Sequence, residues 1–115
     1  MKQPLLVNTF NFECCVLESE IPVLLVFGAC WDPLSIRLYS QLERCMDKCE
    51  GEILLGKVEY DYNQIIYHKY QIPDIPSMAF FENGKIIKIV SKEGFLTIKS
   101  VGAFIDWYYG VYPYY

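Results

Sequence analysis

Five consecutive apolar residues, Val23-Leu24-Leu25-Val26-Phe27, follow Pro22 with no polar residue between them. A run of this kind reads as a strand buried on both faces, the central strand of a parallel or mixed sheet. The strongest local signal comes directly after it. Asp32 before Pro33 places a carboxylate acceptor at an N-cap and a pre-set φ at the first helical position, so a helix starts there. Leu34, Leu38, Leu42, Cys45 and Cys49 then recur at spacings of three and four, while Arg37, Gln41, Arg44 and Lys48 lie elsewhere on the wheel. Gly51 supplies the stop.

The flanking segments extend this alternation. Leu5, Leu6 and Val7 form a short β-prone piece, and Asn8 is the expected N-cap of a helix over residues 10–17. Residues 53–60 alternate imperfectly as a strand, and residues 63–70 fit a short helix ended by Pro73. A strand over residues 78–81 leads into Glu82-Asn83-Gly84-Lys85, a hairpin turn, and residues 86–90 return antiparallel. Residues 97–108 close the chain as a helix on the spacing of Ile98, Val101, Phe104, Ile105 and Tyr108. The order β-α-β-α-β-α-β-β-α defines an α/β fold with a central mixed sheet flanked by helices. A chain of 115 residues is expected to make one domain, 1–115, with a flexible tail at 110–115.

Composition narrows the function classes. Hydrophobic residues make up 53% of the chain and charged residues 21%, enough apolar surface for an autonomous core. The net charge is −4 and the ten Lys and Arg are scattered, so no basic stripe is available for direct nucleic-acid binding. The longest apolar run, from Ile21 to Trp31, contains Pro22 and falls short of the roughly 20 residues a spanning helix needs, so no membrane segment is expected. The residues from Met1 to Leu6 lack the regions of a signal peptide, and the expected location is the cytoplasm. Five cysteines, Cys14, Cys15, Cys30, Cys45 and Cys49, are irregularly spaced and are expected to be reduced thiols. Ten tyrosines, several between Tyr60 and Tyr70 and several from Tyr108 onward, read partly as compositional bias.

In order along the chain, Val23-Leu24-Leu25-Val26-Phe27, Ala29-Cys30-Trp31, Gly56-Lys57-Val58-Glu59-Tyr60-Asp61, Ile75-Pro76-Ser77 and Asn83-Gly84-Lys85 together resemble the thioredoxin family. The resemblance runs from about Val7 to Trp107 and implies a thioredoxin fold. Gly94 matches the glycine that flanks the family's active site. At the site itself the sequence departs: the family's Trp-Cys-Gly-Pro-Cys becomes Trp31-Asp32-Pro33-Leu34-Ser35, and no C-x-x-C occurs anywhere. Thioredoxin chemistry needs a cysteine of lowered pKa at a helix N-terminus and a second cysteine to release the mixed disulfide. Asp32 and Ser35 cannot perform it, and the family's buried proton-transferring acid aligns with Val26.

Each remaining feature has two readings. Asp32 is a general acid or base, or a helix cap, and capping explains it without further assumptions. Ile75-Pro76 is the family's cis proline, or a trans proline that starts a strand; the resemblance favours cis. Trp31 is an apolar contact for a partner, or a structural cover on the helix end. Cys30 is a solitary reactive thiol beside the vestigial site, or a small buried hydrophobe, which is the commoner fate of free cysteine. Cys45 and Cys49 fit the same core reading; with His68 they offer fewer ligands than structural zinc prefers, so no metal is expected. Cys14 and Cys15, as neighbours, cannot readily bridge each other.

These readings converge on a redox-inactive thioredoxin-like domain that needs no cofactor. As a monomer it would bind a protein or extended peptide in a groove around Trp31, Pro33, Ile75, Pro76 and Gly94. One alternative is a monothiol disulfide oxidoreductase acting through Cys30 in cell redox homeostasis. Another rests on Phe27-Gly28-Ala29-Cys30-Trp31-Asp32-Pro33, which resembles the Phe-Gly-x-x-Trp-Asp-Pro segment of the spliceosomal thioredoxin-like family, also without the redox pair.

Overall fold

Strand β1 (Leu5–Val7) opens the computed structural model of the chain, which describes residues 3–91 and 100–111. Strand β2 (Val23–Gly28) is the apolar run, and all six of its residues are buried. Strand β3 (Leu54–Glu59) lies between β1 and β2 and is parallel to both. Strand β4 (Ser77–Glu82) pairs antiparallel with the other edge of β2, and strand β5 (Lys85–Val90) pairs antiparallel with β4. The sheet order is β1-β3-β2-β4-β5, which puts the unalternating strand at the centre.

Period-2 geometry divides this sheet into two faces. Leu24 and Val26 of β2 join Met78 and Phe80 of β4 beneath helix α1 (Pro33–Cys49) and helix α3 (Ser100–Val111), with Leu38, Leu42, Val101, Phe104 and Ile105 completing that core. Val23, Leu25 and Phe27 share the opposite face with Ala79 and Phe81, covered by Phe12, Val16, Ile66 and Tyr67. Ile66 and Tyr67 belong to helix α2 (Gln64–Lys69), which is preceded by a 3₁₀ turn at Tyr60–Tyr62. Asn83 and Gly84 both take positive φ, 53° and 78°, as the two-residue hairpin turn between β4 and β5 requires. Phe80 faces Lys88 while Phe81 faces Ile86, so Ile87 is an extra residue that bulges β5.

One expectation is corrected. The helix expected over residues 10–17 is a single π-helical turn, Glu13–Leu17, with Phe12 at its N-cap. Asn8 caps the preceding bend instead, its Oδ1 accepting the Phe10 and Asn11 amides at 2.8 and 2.9 Å. The closing helix is described over Ser100–Val111; positions 97–99, Gly94 and residues 112–115 lie outside the described residues. Among the described residues no helix is long and apolar enough to cross a membrane.

Candidate functional site

Helix α1 starts where β2 ends, so its first turn stands at the rim of the sheet. Asp32 is extended (φ −98°, ψ 122°) and caps the helix, with Pro33 at the first helical position. Its Oδ2 accepts both the Ser35 amide and the Ser35 Oγ–H, each at 2.8 Å. Ser35 is fully buried and Asp32 partly exposed. Close packing holds this arrangement: a Cβ on Gly28 would stand 2.7 Å from Ser35 Oγ and 2.9 Å from the Tyr39 hydroxyl. Asp32 and Ser35 are therefore joined to each other as carboxylate and hydroxyl. Val26 is fully buried and pairs across the sheet with Lys57 and Met78. Lys57 lies with its Nζ 4.7 Å from the centroid of the Tyr39 ring.

Cys30 is exposed, which corrects the expectation of a small buried hydrophobe. The strand ends at Gly28 and the chain turns outward, with the Asp32 amide donating to the Ala29 carbonyl at 3.1 Å. The Cys30 amide donates to Glu59 Oε2 at 2.6 Å, and the Tyr39 hydroxyl donates to Glu59 Oε1 at 3.2 Å. Hydrogen bonding to Glu59 raises the Cys30 thiol above its ordinary pKa; desolvation and repulsion from Glu59 and Asp61 add to it, opposed by the residue's own backbone hydrogen bond. Burial, and then the Glu59 charge, pushes the Tyr39 phenol up. The ligand atoms of Cys30, Glu59 and Asp61 lie within 4.8 Å of one another, the one group with metal-ligand spacing among the described residues. Cys45 and Cys49 lie on α1 and pack on its side of the sheet, while His68 lies on α2 on the other side, so the three do not come together as a ligand set.

A cleft of about 630 Å³ opens beside Trp31, lined by Tyr60, Tyr67, His68 and the segment Ile72, Pro73, Asp74 and Ile75. Trp31 is 60% exposed, and its Nε1 donates to Asp61 Oδ2 at 3.0 Å, which fixes the ring plane. Tyr67 forms the floor, its hydroxyl shared between the Val58 and Gly28 carbonyls at 2.6 and 3.1 Å. Helix α2 ends in a left-handed residue, Gln71 (φ 52°), with Gln71 N–H to the His68 carbonyl and Ile72 N–H to the Tyr67 carbonyl. This two-bond cap swings the chain back as the cleft's far wall. The Ile75–Pro76 peptide bond is cis, and the buried Ser77 that follows donates from Oγ to the Asp74 carbonyl at 2.7 Å.

Of the residues singled out in the sequence, the cleft brings together Trp31 and Ile75. Pro76 adjoins it through its bond to Ile75, whereas Asp32, Pro33 and Ser35 belong to the helix start and do not line it. Tyr60, Tyr67, His68, Ile72, Pro73 and Asp74 were not foreseen as lining residues; the clustering of Tyr60 and Tyr67 was the one visible signal, and it reads equally well as compositional bias.

Two parallel crossovers, an antiparallel hairpin on β2, and Trp31 set across a cleft from a cis-proline segment define a thioredoxin-like α/β domain. The thioredoxin family profile matches residues 3–106, and the chain belongs to the thioredoxin family. It is 32% identical over 77 residues to a thioredoxin of Chlorobaculum thiosulfatiphilum, covering 67% of this chain and 71% of that one. With thioredoxin C-2 of Corynebacterium nephridii it shares 30% identity over 103 residues, 88% and 94% of the two chains. A thioredoxin of Haemophilus influenzae is 28% identical over 87 residues, 76% and 81%.

Proposed function

We propose that this domain binds extended protein segments in the Trp31–Ile75 cleft without exchanging disulfides. The observation that carries the reading is the Asp32–Ser35 pair: the two positions from which the fold would run thiol chemistry are occupied by a carboxylate and a hydroxyl bonded to each other at 2.8 Å. A disulfide cannot be opened by either group, because the step needs a thiolate to attack and a second thiol to expel the product. The exposed aromatic wall and the 630 Å³ cleft remain, and an exposed aromatic beside a concavity is the usual anchor of a protein interface. An extended segment would lie with its backbone at the Ile75 edge and a side chain against Trp31.

The monothiol alternative is weakened by the environment of Cys30. Its thiol is stabilised in the protonated form by the neighbouring carboxylates, and among the described residues no lysine, arginine or histidine pairs with it to offset them. The splicing reading rests on the heptad from Phe27 to Pro33 alone.

The test has two arms. Insulin reduction in the presence of dithiothreitol should proceed at the uncatalysed rate with this protein, and catalysis abolished by Cys30→Ser would overturn the reading. On an array of extended decapeptides, a subset should bind the wild type and lose about tenfold or more with Trp31→Ala, the scale of an interface anchor. Equal binding by both proteins would remove the cleft from the reading.

A further inference from the structure

Cys14 and Cys15 take no part in the cleft or in the helix start, yet their sulfurs lie in contact. Their Sγ atoms lie 3.7 Å apart, Cys14 exposed and Cys15 half-buried. The π-helical turn that carries them explains the approach: i→i+5 winding rotates the chain less per residue than an α-helix, so neighbouring side chains diverge less. Phe12 and Val16, both buried, pin the turn on either side, and Cys14 is oriented by a bond from Sγ to the Asn11 carbonyl at 3.4 Å.

A direct disulfide is the wrong closure for this pair. Adjacent Cα atoms stand about 3.8 Å apart across a trans peptide, inside the roughly 4.4–6.8 Å that unstrained disulfides span. An atom inserted between the sulfurs fits instead. With bonds of about 2.3 Å, as for zinc thiolates, a bent centre with an S–X–S angle of about 95–110°, pyramidal or tetrahedral, separates two sulfurs by about 3.4–3.8 Å and a linear one by about 4.6 Å. The observed 3.7 Å therefore matches a bent S–X–S unit and not a linear one. Among the described residues no third His, Cys, Asp or Glu ligand joins the pair, so a four-ligand structural zinc site is not available. The centre must be thiophilic, bent, and satisfied by two protein sulfurs.

The geometry points to Cys14–Cys15 as a vicinal dithiol site for a monosubstituted trivalent arsenical, a soft centre that carries its third substituent with it. The chemistry is a substitution without electron transfer. With hydrated phenylarsine oxide, two As–S bonds form and two As–O bonds break. Each thiol proton leaves with a hydroxyl as water, and arsenic stays trivalent. The raised pKa of Cys15, caused first by its hydrogen bond with Cys14, is compatible with this because the protonated thiols supply the protons that leave.

The experiment titrates the phosphine-reduced full chain with phenylarsine oxide and reads intact mass. One adduct should persist in excess 2-mercaptoethanol and be stripped by 2,3-dimercaptopropanol. Cys14→Ser and Cys15→Ser should each lose that adduct, with affinity down by about a hundredfold or more, since a tethered second bond adds at least that much. Cys30→Ser and Cys45→Ser should retain it, and unchanged circular dichroism would confirm that the serine variants fold. Persistence of the monothiol-resistant adduct in Cys14→Ser, or its absence from the wild type, would overturn the assignment. Peptide binding in the cleft is a separate readout, so either inference can fail alone.

Discussion

Cys30 shows how strongly single neighbours decide chemistry at a position. Two residues ahead of the N-cap Asp32, it stands where a modest rearrangement would put a thiol into the positive end of the helix dipole, which lowers thiol pKa values. Glu59 has the opposite effect: it accepts the Cys30 amide at 2.6 Å, and its hydrogen bond to the thiol is the largest contribution to a raised pKa, with Asp61 adding repulsion. The thiolate is the reactive form, so alkylation by iodoacetamide should remain slow through neutral pH and rise with a midpoint above that of free cysteine. Glu59→Gln removes the charge and should move that midpoint down, making Cys30 faster at pH 8. The measurement is a pH–rate profile with mass-spectrometric quantification at Cys30. A profile identical in the two proteins would show that Glu59 does not control the thiol. Exposure of Cys30 was not legible in the sequence because Ala29 and Cys30 continue an apolar run. Only the turn after Gly28 takes them out of the sheet.

Elements with a dense local code were legible, and those decided by tertiary contacts were not. β2 was readable from five apolar residues without alternation, α1 from Asp32-Pro33 and its three-and-four spacing, and the hairpin from Asn83-Gly84. The first helix was not, since Asn8 carries the same capping chemistry whether it starts a helix or closes a bend. The end of α2 was read as the work of Pro73, yet the helix stops earlier, at Lys69, through a capping motif with Gln71 in the left-handed region. A side chain there costs about 1–2 kcal/mol that glycine avoids. Gln71→Gly should therefore raise stability by roughly 0.5–1 kcal/mol, net of the added freedom of the unfolded chain. Equilibrium urea unfolding checks it as a higher midpoint at unchanged slope. A lower midpoint would mean that the Gln71 side chain contributes more than its backbone conformation costs.

At the scale of the whole molecule, the cleft was illegible for a topological reason. Trp31, Tyr60, Tyr67 and Ile75 come from the ends of separate elements, and they meet because the order β1-β3-β2-β4-β5 sets the loops after β2 and β3 beside the loop before β4. The absence of a C-x-x-C, by contrast, was legible residue by residue, and the family resemblance set Asp32 and Ser35 against the two cysteine positions. That separation between scaffold and chemistry predicts what two substitutions should restore. Position 32 is partly exposed at the N-cap and position 35 is fully buried one turn in, an arrangement suited to an attacking sulfur and a releasing one. In Asp32→Cys/Ser35→Cys the first thiol would meet the positive end of a 17-residue helix, and the second would lie within the same turn. The double variant should accelerate insulin reduction above the dithiothreitol background. Asp32→Cys alone should stall as a mixed disulfide, and Ser35→Cys alone should be inert because its sulfur is buried. The rate should fall short of a conventional thioredoxin assayed alongside, since Val26 offers no proton acceptor beneath the site and Lys57 is engaged with the Tyr39 ring. Absence of turnover in a folded double variant whose new disulfide forms would show that more than those two sulfurs is needed for disulfide exchange on this scaffold.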